Sequence, residues 1–91
     1  MRDAPAPHLT LVFLARLRDA FGAADERVVL PTDVTTTAQL RAWLAARGGA
    51  WAIELSPERA VRIAVNHDIA QPETPVRPGD EVALLPPVTG G

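Results

Sequence analysis

Residues 36–44 read Thr-Thr-Ala-Gln-Leu-Arg-Ala-Trp-Leu, and the rest of the chain is interpreted outward from them. Thr36 followed three positions later by Gln39 matches the capping box that begins a helix. Gly48 and Gly49 are expected to end the helix. Apolar side chains recur between them at the spacing of one buried face: Leu40, Trp43 and Leu44. The pattern predicts one amphipathic helix near the middle of the chain.

Two apolar stretches before this helix are predicted strands. Residues 9–14 read Leu-Thr-Leu-Val-Phe-Leu, a short run of β-branched, aromatic and aliphatic side chains. One helical turn at residues 16–20 separates it from a second strand at residues 27–30, which Pro31 ends because proline lacks an amide hydrogen. We expect a hairpin-like pair.

The segments after the helix predict a loose connection and three further strands. Residues 50–57, which include Trp51, are interpreted as loose chain. Residues 59–65 alternate apolar and polar side chains and predict a third strand, and residues 69–70 pair only briefly. Arg77-Pro78-Gly79-Asp80 is a strong turn before the last strand at residues 81–85.

This order of elements predicts an α+β fold in which one main helix covers a mixed sheet of about five strands. A β-grasp, ubiquitin-like domain fits the order and the length of 91 residues. We expect a flexible leader at residues 1–8, the domain at residues 9–85 and an extended, reactive tail at residues 86–91. The side chains expected to face the helix are Leu9, Leu11, Phe13, Val61, Ile63, Val65, Val82 and Leu84.

Composition excludes several classes of function. The chain has no cysteine and only two histidines, so neither a thiolate metal site nor a cysteine nucleophile is expected. A net charge of −2 argues against nucleic acid as a partner. No apolar run is long enough to cross a bilayer, and we expect a cytoplasmic protein without a permanently bound cofactor or metal.

The chemistry is predicted at the end of the chain, which reads Pro86-Pro87-Val88-Thr89-Gly90-Gly91. The two prolines favour an extended exit from the sheet. The two glycines have no Cβ, so a narrow tunnel of a partner could close around their backbone. A terminal carboxylate at Gly91 is ionised at neutral pH and can attack the α-phosphate of ATP to give an acyl-adenylate. The alternative is a frayed end without a function.

The tail resembles that of the MoaD-type sulfur carriers, the small subunits of molybdopterin synthase, which commonly end Pro-Pro-Val-X-Gly-Gly. Residues 13–18, 65–66 and 79–82 are similar to the same family, so the resemblance runs from about Leu9 to Gly91. The leader and the pair Leu84-Leu85, where many relatives carry aromatic side chains, depart from it.

The resemblance implies a non-catalytic subunit of a sulfurtransferase, activated by an enzyme that uses ATP. A ubiquitin-activating-like adenylyltransferase would adenylate Gly91, and a persulfide donor would replace AMP to leave a thiocarboxylate. The thiocarboxylate would enter the synthase large subunit and give its sulfur to cyclic pyranopterin monophosphate, within a heterotetramer of two small and two large subunits. The residues expected to insert are Pro86, Pro87, Val88, Thr89 and Gly90.

A partner surface is predicted on the sheet face turned away from the helix. That face is too apolar to remain in water, and the first and last strands of a β-grasp are neighbours. We expect the large subunit and the activating enzyme to share it; self-association and ordinary surface leucines are the alternatives. The residues expected there, with Ala64 beside them, are Val12, Leu14, Ile69, Ala83 and Leu85.

The remaining candidates carry weaker signals. His67 is interpreted as a solvated turn residue rather than a general base, and Trp43 and Trp51 as part of the core. Arg16 and Arg18 follow the first strand and are either charged surface or partners for acidic groups on another protein. Three other functions stay open: a sulfur carrier for thiamine or cysteine synthesis, a protein modifier joined through Gly91 to lysines, and a binding module with an inert tail.

Overall fold

The computed structural model describes residues 7–86, and within them the helices and strands follow the predicted order with one addition. In chain order they are β1 (His8–Phe13), α1 (Leu17–Phe21), β2 (Asp25–Val29), α2 (Thr37–Ala45), α3 (Gly49–Glu54), β3 (Arg62–Val65), β4 (Asp68–Ile69) and β5 (Glu81–Leu85).

The strands form one five-stranded sheet in the order β2-β1-β5-β3-β4. β1 and β5, from opposite ends of the chain, are parallel neighbours at its centre, while the other pairs are antiparallel. A turn closed by a hydrogen bond of 3.1 Å from the Asp80 amide to the Arg77 carbonyl leads into β5. The mixed sheet and its helices confirm the predicted α+β, β-grasp architecture.

The core lies between the helices and one face of the sheet. Of the side chains predicted to point toward the helix, most are buried: Leu9, Leu11, Phe13, Ile63, Val82 and Leu84. Val61 and Val65 are half-buried and pack against the same cluster. Alternation along the strands therefore predicts the inner face correctly, with lower burial in β3, next to the short strand β4.

The start of α2 is fixed by the predicted capping box. The Thr36 hydroxyl accepts a hydrogen bond from the Gln39 amide, and the Gln39 side-chain oxygen accepts one from the Thr36 amide, both at 3.2 Å. The buried Thr37 hydroxyl also donates to the carbonyls of Gln71 and Pro72, which ties the helix to the chain before β5. Leu40 and Leu44 of α2 are fully buried.

The loose segment predicted at residues 50–57 is wrong, because Gly49–Glu54 forms α3. α2 ends at Ala45, before the stop predicted at Gly48 and Gly49. Gly48, with φ at +83°, is instead the N-cap of α3. Trp51 holds the new helix in place by stacking on Phe21, with ring centroids 3.8 Å apart. Such a short helix depends on tertiary contacts that a sequence pattern does not display.

The boundaries of β1 to β4 also differ from prediction, by one to three residues, whereas β5 spans the predicted residues. β1 begins at His8, one residue early, and the Pro7 carbonyl before it accepts from the Leu30 amide at 2.9 Å. β2 begins at Asp25 rather than residue 27. β3 begins only at Arg62, because residues 56–59 form a turn closed by the Arg59 amide and the Ser56 carbonyl. Of the leader predicted at residues 1–8, residues 1–6 lie outside the described residues, and His8 belongs to β1.

Arg41 fastens that turn to α2. Its guanidinium donates to the carbonyls of Leu55 at 3.0 Å, Ser56 at 2.6 Å and Arg59 at 2.7 Å. The side chain is half-buried, so these carbonyls would have limited access to water without it. One side chain thereby satisfies three backbone acceptors between α3 and β3.

Replacing Arg41 with Met should lower the free energy of unfolding by about 2 kcal/mol, since hydrogen bonds to a charged donor are among the stronger ones. The corresponding fall in Tm is about 10 °C for a domain of this size. Arg18→Met is the control, because Arg18 is exposed and the described residues offer it no ion-pair partner. Thermal denaturation followed by circular dichroism measures the Tm of both variants. Equal Tm values for Arg41→Met and Arg18→Met would contradict the role given to Arg41.

Candidate functional site

The tail leaves the sheet from the end of its central strand. β5 lies between β1 and β3, with Leu84 opposite Phe13 and Leu85 opposite Arg62. The Leu14 amide donates to the Leu84 carbonyl at 3.1 Å, so the connection after β1 also flanks this exit. Pro86 is the last described residue and is half-buried. Gly91, the predicted site of the thiocarboxylate, and four of the predicted insertion residues, Pro87, Val88, Thr89 and Gly90, lie outside the described residues.

An apolar row crosses the sheet on the face turned away from the helices. Val12 is in register with Ala83, Ala83 with Ala64, and Ala64 with Ile69. Directly opposite residues of neighbouring strands place their side chains on the same face. The row therefore joins four strands, from β1 to the edge strand β4.

A second row lies beside the tail exit. Leu85 is paired with Arg62, and Leu14 follows the Phe13–Leu84 pair on the other side. We call the surface formed by both rows the outer face; its predicted members are Val12, Leu14, Ile69, Ala83 and Leu85. The structure brings all five together, with Leu14 37% and Ile69 58% exposed. Ala64 completes the first row but is buried at 8% exposure.

The opposite end of β5 carries polar contacts instead. Asn66 joins the start of β5 through its side-chain oxygen, which accepts from the Glu81 amide at 2.9 Å, and its amide nitrogen donates to Asp80 at 3.0 Å. His67 is exposed in the turn between β3 and β4, where both Asn66 and His67 have positive φ. The Nε2 atom of His67 is 3.7 Å from the Glu81 carboxylate. The turn position predicted for His67 is confirmed, and it lies at the far end of β5 from the tail.

The other weak candidates belong to the body of the domain. Arg16 pairs with Glu54 of α3 at 2.9 Å, so its described partner is within the chain. Trp51 is stacked between the ring of Phe21 and the guanidinium of Arg47, which is 4.4 Å from the Trp51 ring centroid. Trp43 and Trp51 are half-buried against the core, as predicted.

Neither a metal centre nor a membrane span emerges from the described residues. Across residues 7–86, histidine and acidic side chains do not gather in threes that could hold a metal ion. The helices in that part of the chain are too short to cross a bilayer.

A groove between α2 and the β3–β4 edge was missed by sequence reasoning. It encloses about 650 Å³, and its walls are mostly apolar. We call it the α2 groove; its lining includes Ala38, Ala42, Val61, Ile63, Ile69 and Pro72. These residues come from separate segments, so only the tertiary fold brings them together. The exposed alanines on α2 are the one signal in the sequence, and small residues on a helix are common without such a groove.

Comparison with known proteins places these features in a family. The model of the ThiS family matches residues 11–91, which include both rows of the outer face and the tail. The chain belongs to the ThiS family. Two curated relatives, from Haemophilus influenzae and Escherichia coli, are each 35% identical over 83 residues, or 91% of this chain and 99% of theirs. Both are named molybdopterin synthase sulfur carrier subunit, which confirms the resemblance recognised in the tail.

Solved structures agree on the family fold. A putative molybdopterin converting factor subunit 1 from Pyrococcus furiosus superimposes with a TM-score of 0.74 at 25% identity, covering 90% of this chain and 99% of that one. SAMP1 from Haloferax volcanii gives 0.71 at 25% identity over 92% and 99%. A chain in the complex of subunits 1 and 2 of the molybdopterin-converting factor from Helicobacter pylori gives 0.63 at 25% identity, again over 92% and 99%.

Proposed function

We propose that this chain is the sulfur carrier subunit of a molybdopterin synthase. The observation that carries the proposal is the similarity, at 35% identity over 91% of this chain, to two proteins with that name. Further support comes from the Pro-Pro-Val-Thr-Gly-Gly ending, which follows directly after β5 in the sequence.

The sulfur is carried at the carboxyl carbon of Gly91. A carboxylate oxygen of Gly91 attacks the α-phosphate of ATP on an activating enzyme, which releases pyrophosphate and leaves an acyl-adenylate. The outer sulfur of a persulfide donor then attacks the acyl carbon and releases AMP, which leaves an acyl disulfide. A second thiol on the donor breaks the sulfur–sulfur bond, so that the thiocarboxylate stays on Gly91 and the donor is left as a disulfide. This chain has no cysteine, so the sulfur comes from another protein, and ATP is a substrate of the activating enzyme rather than a resident cofactor.

The outer face docks the large subunit, and the tail enters it. Support for such a partner comes from the Helicobacter pylori structure, which contains two different subunits. Leu14 and Leu85 lie immediately beside the exit of the tail, so a protein that surrounds the tail also covers them. We propose that the activating enzyme uses the same face in turn, and that the complete synthase, in the cytoplasm, contains two small and two large subunits.

Intact mass spectrometry tests the proposal. The protein is incubated with ATP, its activating enzyme and a persulfide donor, and then with the large subunit and cyclic pyranopterin monophosphate. The expected result is replacement of one oxygen by sulfur in the first step and its reversal in the second. Failure to load would contradict a carrier function; loading without discharge would contradict the assigned acceptor and favour a carrier for thiamine or cysteine synthesis.

A protein modifier is the second candidate. The similarity to SAMP1, a small archaeal modifier protein, favours it. Both functions begin with activation of the terminal glycine, and they differ in the acceptor: an amine in the modifier, a pterin precursor in the carrier. Detection of isopeptide-linked conjugates that require Gly91, without sulfur transfer to the precursor, would support the modifier instead.

A further inference from the structure

The first half of β3 is an open sheet edge. Its pairing with β5 turns the amide and carbonyl groups of residues 62, 64 and 66 toward β5, as shown by the bond from the Asn66 amide to the Glu81 carbonyl. Residues 61, 63 and 65 therefore face the other side. β4 covers only the later part of that side, opposite Ala64 and Val65.

Three backbone groups are left without a backbone partner among the described residues: the amide and carbonyl of Val61 and the amide of Ile63. The Ile63 carbonyl is already taken by the Ala70 amide at 2.8 Å. Unpaired groups at a sheet edge are a template for an added strand, because an extended chain can satisfy them in register.

The α2 groove lies directly beside this edge. Val61 and Ile63 line it from the sheet, and Ala38 and Ala42 line it from the helix. Its volume of about 650 Å³ is within the range of ligand pockets, and its apolar walls suit the alternate side chains of an extended segment. The unpaired backbone groups and the apolar groove thus both suit the same kind of ligand, a short strand with apolar side chains.

Position connects this edge with the tail. Arg62 is paired with Leu85, one residue before Pro86, and neighbouring strands lie about 4.8 Å apart. Arg62 and Ile69 also line both the outer face and the groove. A stable protein interface buries about 800 Å² on each partner, more than a handful of small apolar side chains supplies. A protein that receives the tail therefore extends past the outer face, and the β3 edge is its nearest continuation.

We propose that the partner receiving the tail adds a short extended segment to the open edge of β3 and seats its apolar side chains in the α2 groove. This inference rests on the proposed function and specifies how the large subunit is bound. The amides of Val61 and Ile63 become hydrogen-bond donors to the partner's backbone, and the side chain of Arg62 is left facing the same partner on the outer face.

Hydrogen exchange tests the inference on the complex of the full chain with the large subunit. Residue-resolved exchange is compared between the free chain and the isolated complex. We expect slower exchange at Val61 and Ile63. The internal control is the opposite edge of the sheet, where Arg27 and Val29 point their amides away from β1 and should exchange at an unchanged rate.

A pair of variants tests the groove independently. Ala42→Trp fills the α2 groove, whereas Ala46→Trp places the same side chain on an exposed residue of the same helix end that does not line it. We expect about tenfold weaker binding of the large subunit for Ala42→Trp and no change for Ala46→Trp.

Unchanged exchange at Val61 and Ile63 in a complex that has formed, or equal affinities of the two variants, would overturn the inference while leaving the proposed function intact. If the wild-type chain forms no complex with the large subunit, both fail together.

Discussion

Removal of Gly90 and Gly91 should abolish sulfur loading of this chain. In the proposed cycle the activating enzyme reaches the terminal carboxylate along glycine backbone, which has no Cβ to obstruct a narrow passage. The shortened chain would present Thr89 there, with a branched side chain and a shorter reach. Intact mass after incubation with ATP, the activating enzyme and a persulfide donor should show the thiocarboxylate in the wild-type protein and none in the variant.

Two controls separate this effect from loss of structure. Removal of residues 1–6, at the other end of the chain, should leave loading unchanged. The variant without Gly90 and Gly91 should keep its Tm, because the described core ends at Leu84. It should also still bind the large subunit through the outer face. Loading of the shortened chain at the wild-type rate would contradict the assignment of Gly91.

Leu14→Glu should abolish binding of the large subunit in a pull-down. Leu14 lies beside Leu85 at the exit of the tail, and in the complex a new carboxylate would be buried against an apolar partner surface. Burying an unpaired charge is far more costly than losing one apolar contact. The fold should tolerate the change, since Leu14 is 37% exposed in the free chain.

The matched control is Ile53→Glu. Ile53 is a large apolar residue on α3, 57% exposed, and α3 packs on the helical side of the sheet. The Ile53→Glu variant should bind the large subunit as the wild type does. Equal binding by Leu14→Glu and the wild type would dismiss the outer face as the docking surface, whereas loss of binding by both variants would indicate a general effect of added negative charge.

Local patterns predicted most of the fold because they act within one segment. The capping box at Thr36 needs only residues three positions apart, and the alternation in β1 assigns Leu11 to the core and Val12 to the outer face. The sequence did not predict α3, because a Gly-Gly pair is typical of a helix end whereas Gly48 caps the start of a helix, and because Trp51 stacks on Phe21 of α1, which is distant in sequence.

The same distinction between local patterns and tertiary contacts decides which parts of the candidate site the sequence predicts. The tail residues and the outer face follow from sequence, since one is a contiguous motif and the other a consequence of strand alternation and order. The open edge of β3 does not: it arises because β4 is only two residues long and because the turn held by Arg41 delays the start of β3 to Arg62. Both features depend on tertiary contacts, which a local sequence pattern does not show.

The central position of β5 bears on how the tail withstands use. In the proposed function the tail is withdrawn from a partner in each round of transfer, and a pull on the tail reaches the sheet through the end of β5. Ladders on both sides, to β1 and to β3, are then loaded in shear, so their hydrogen bonds resist together. An edge strand would have only one such ladder. In the proposed function, the strand that precedes the sulfur-carrying end is thus one that the sheet holds from both sides.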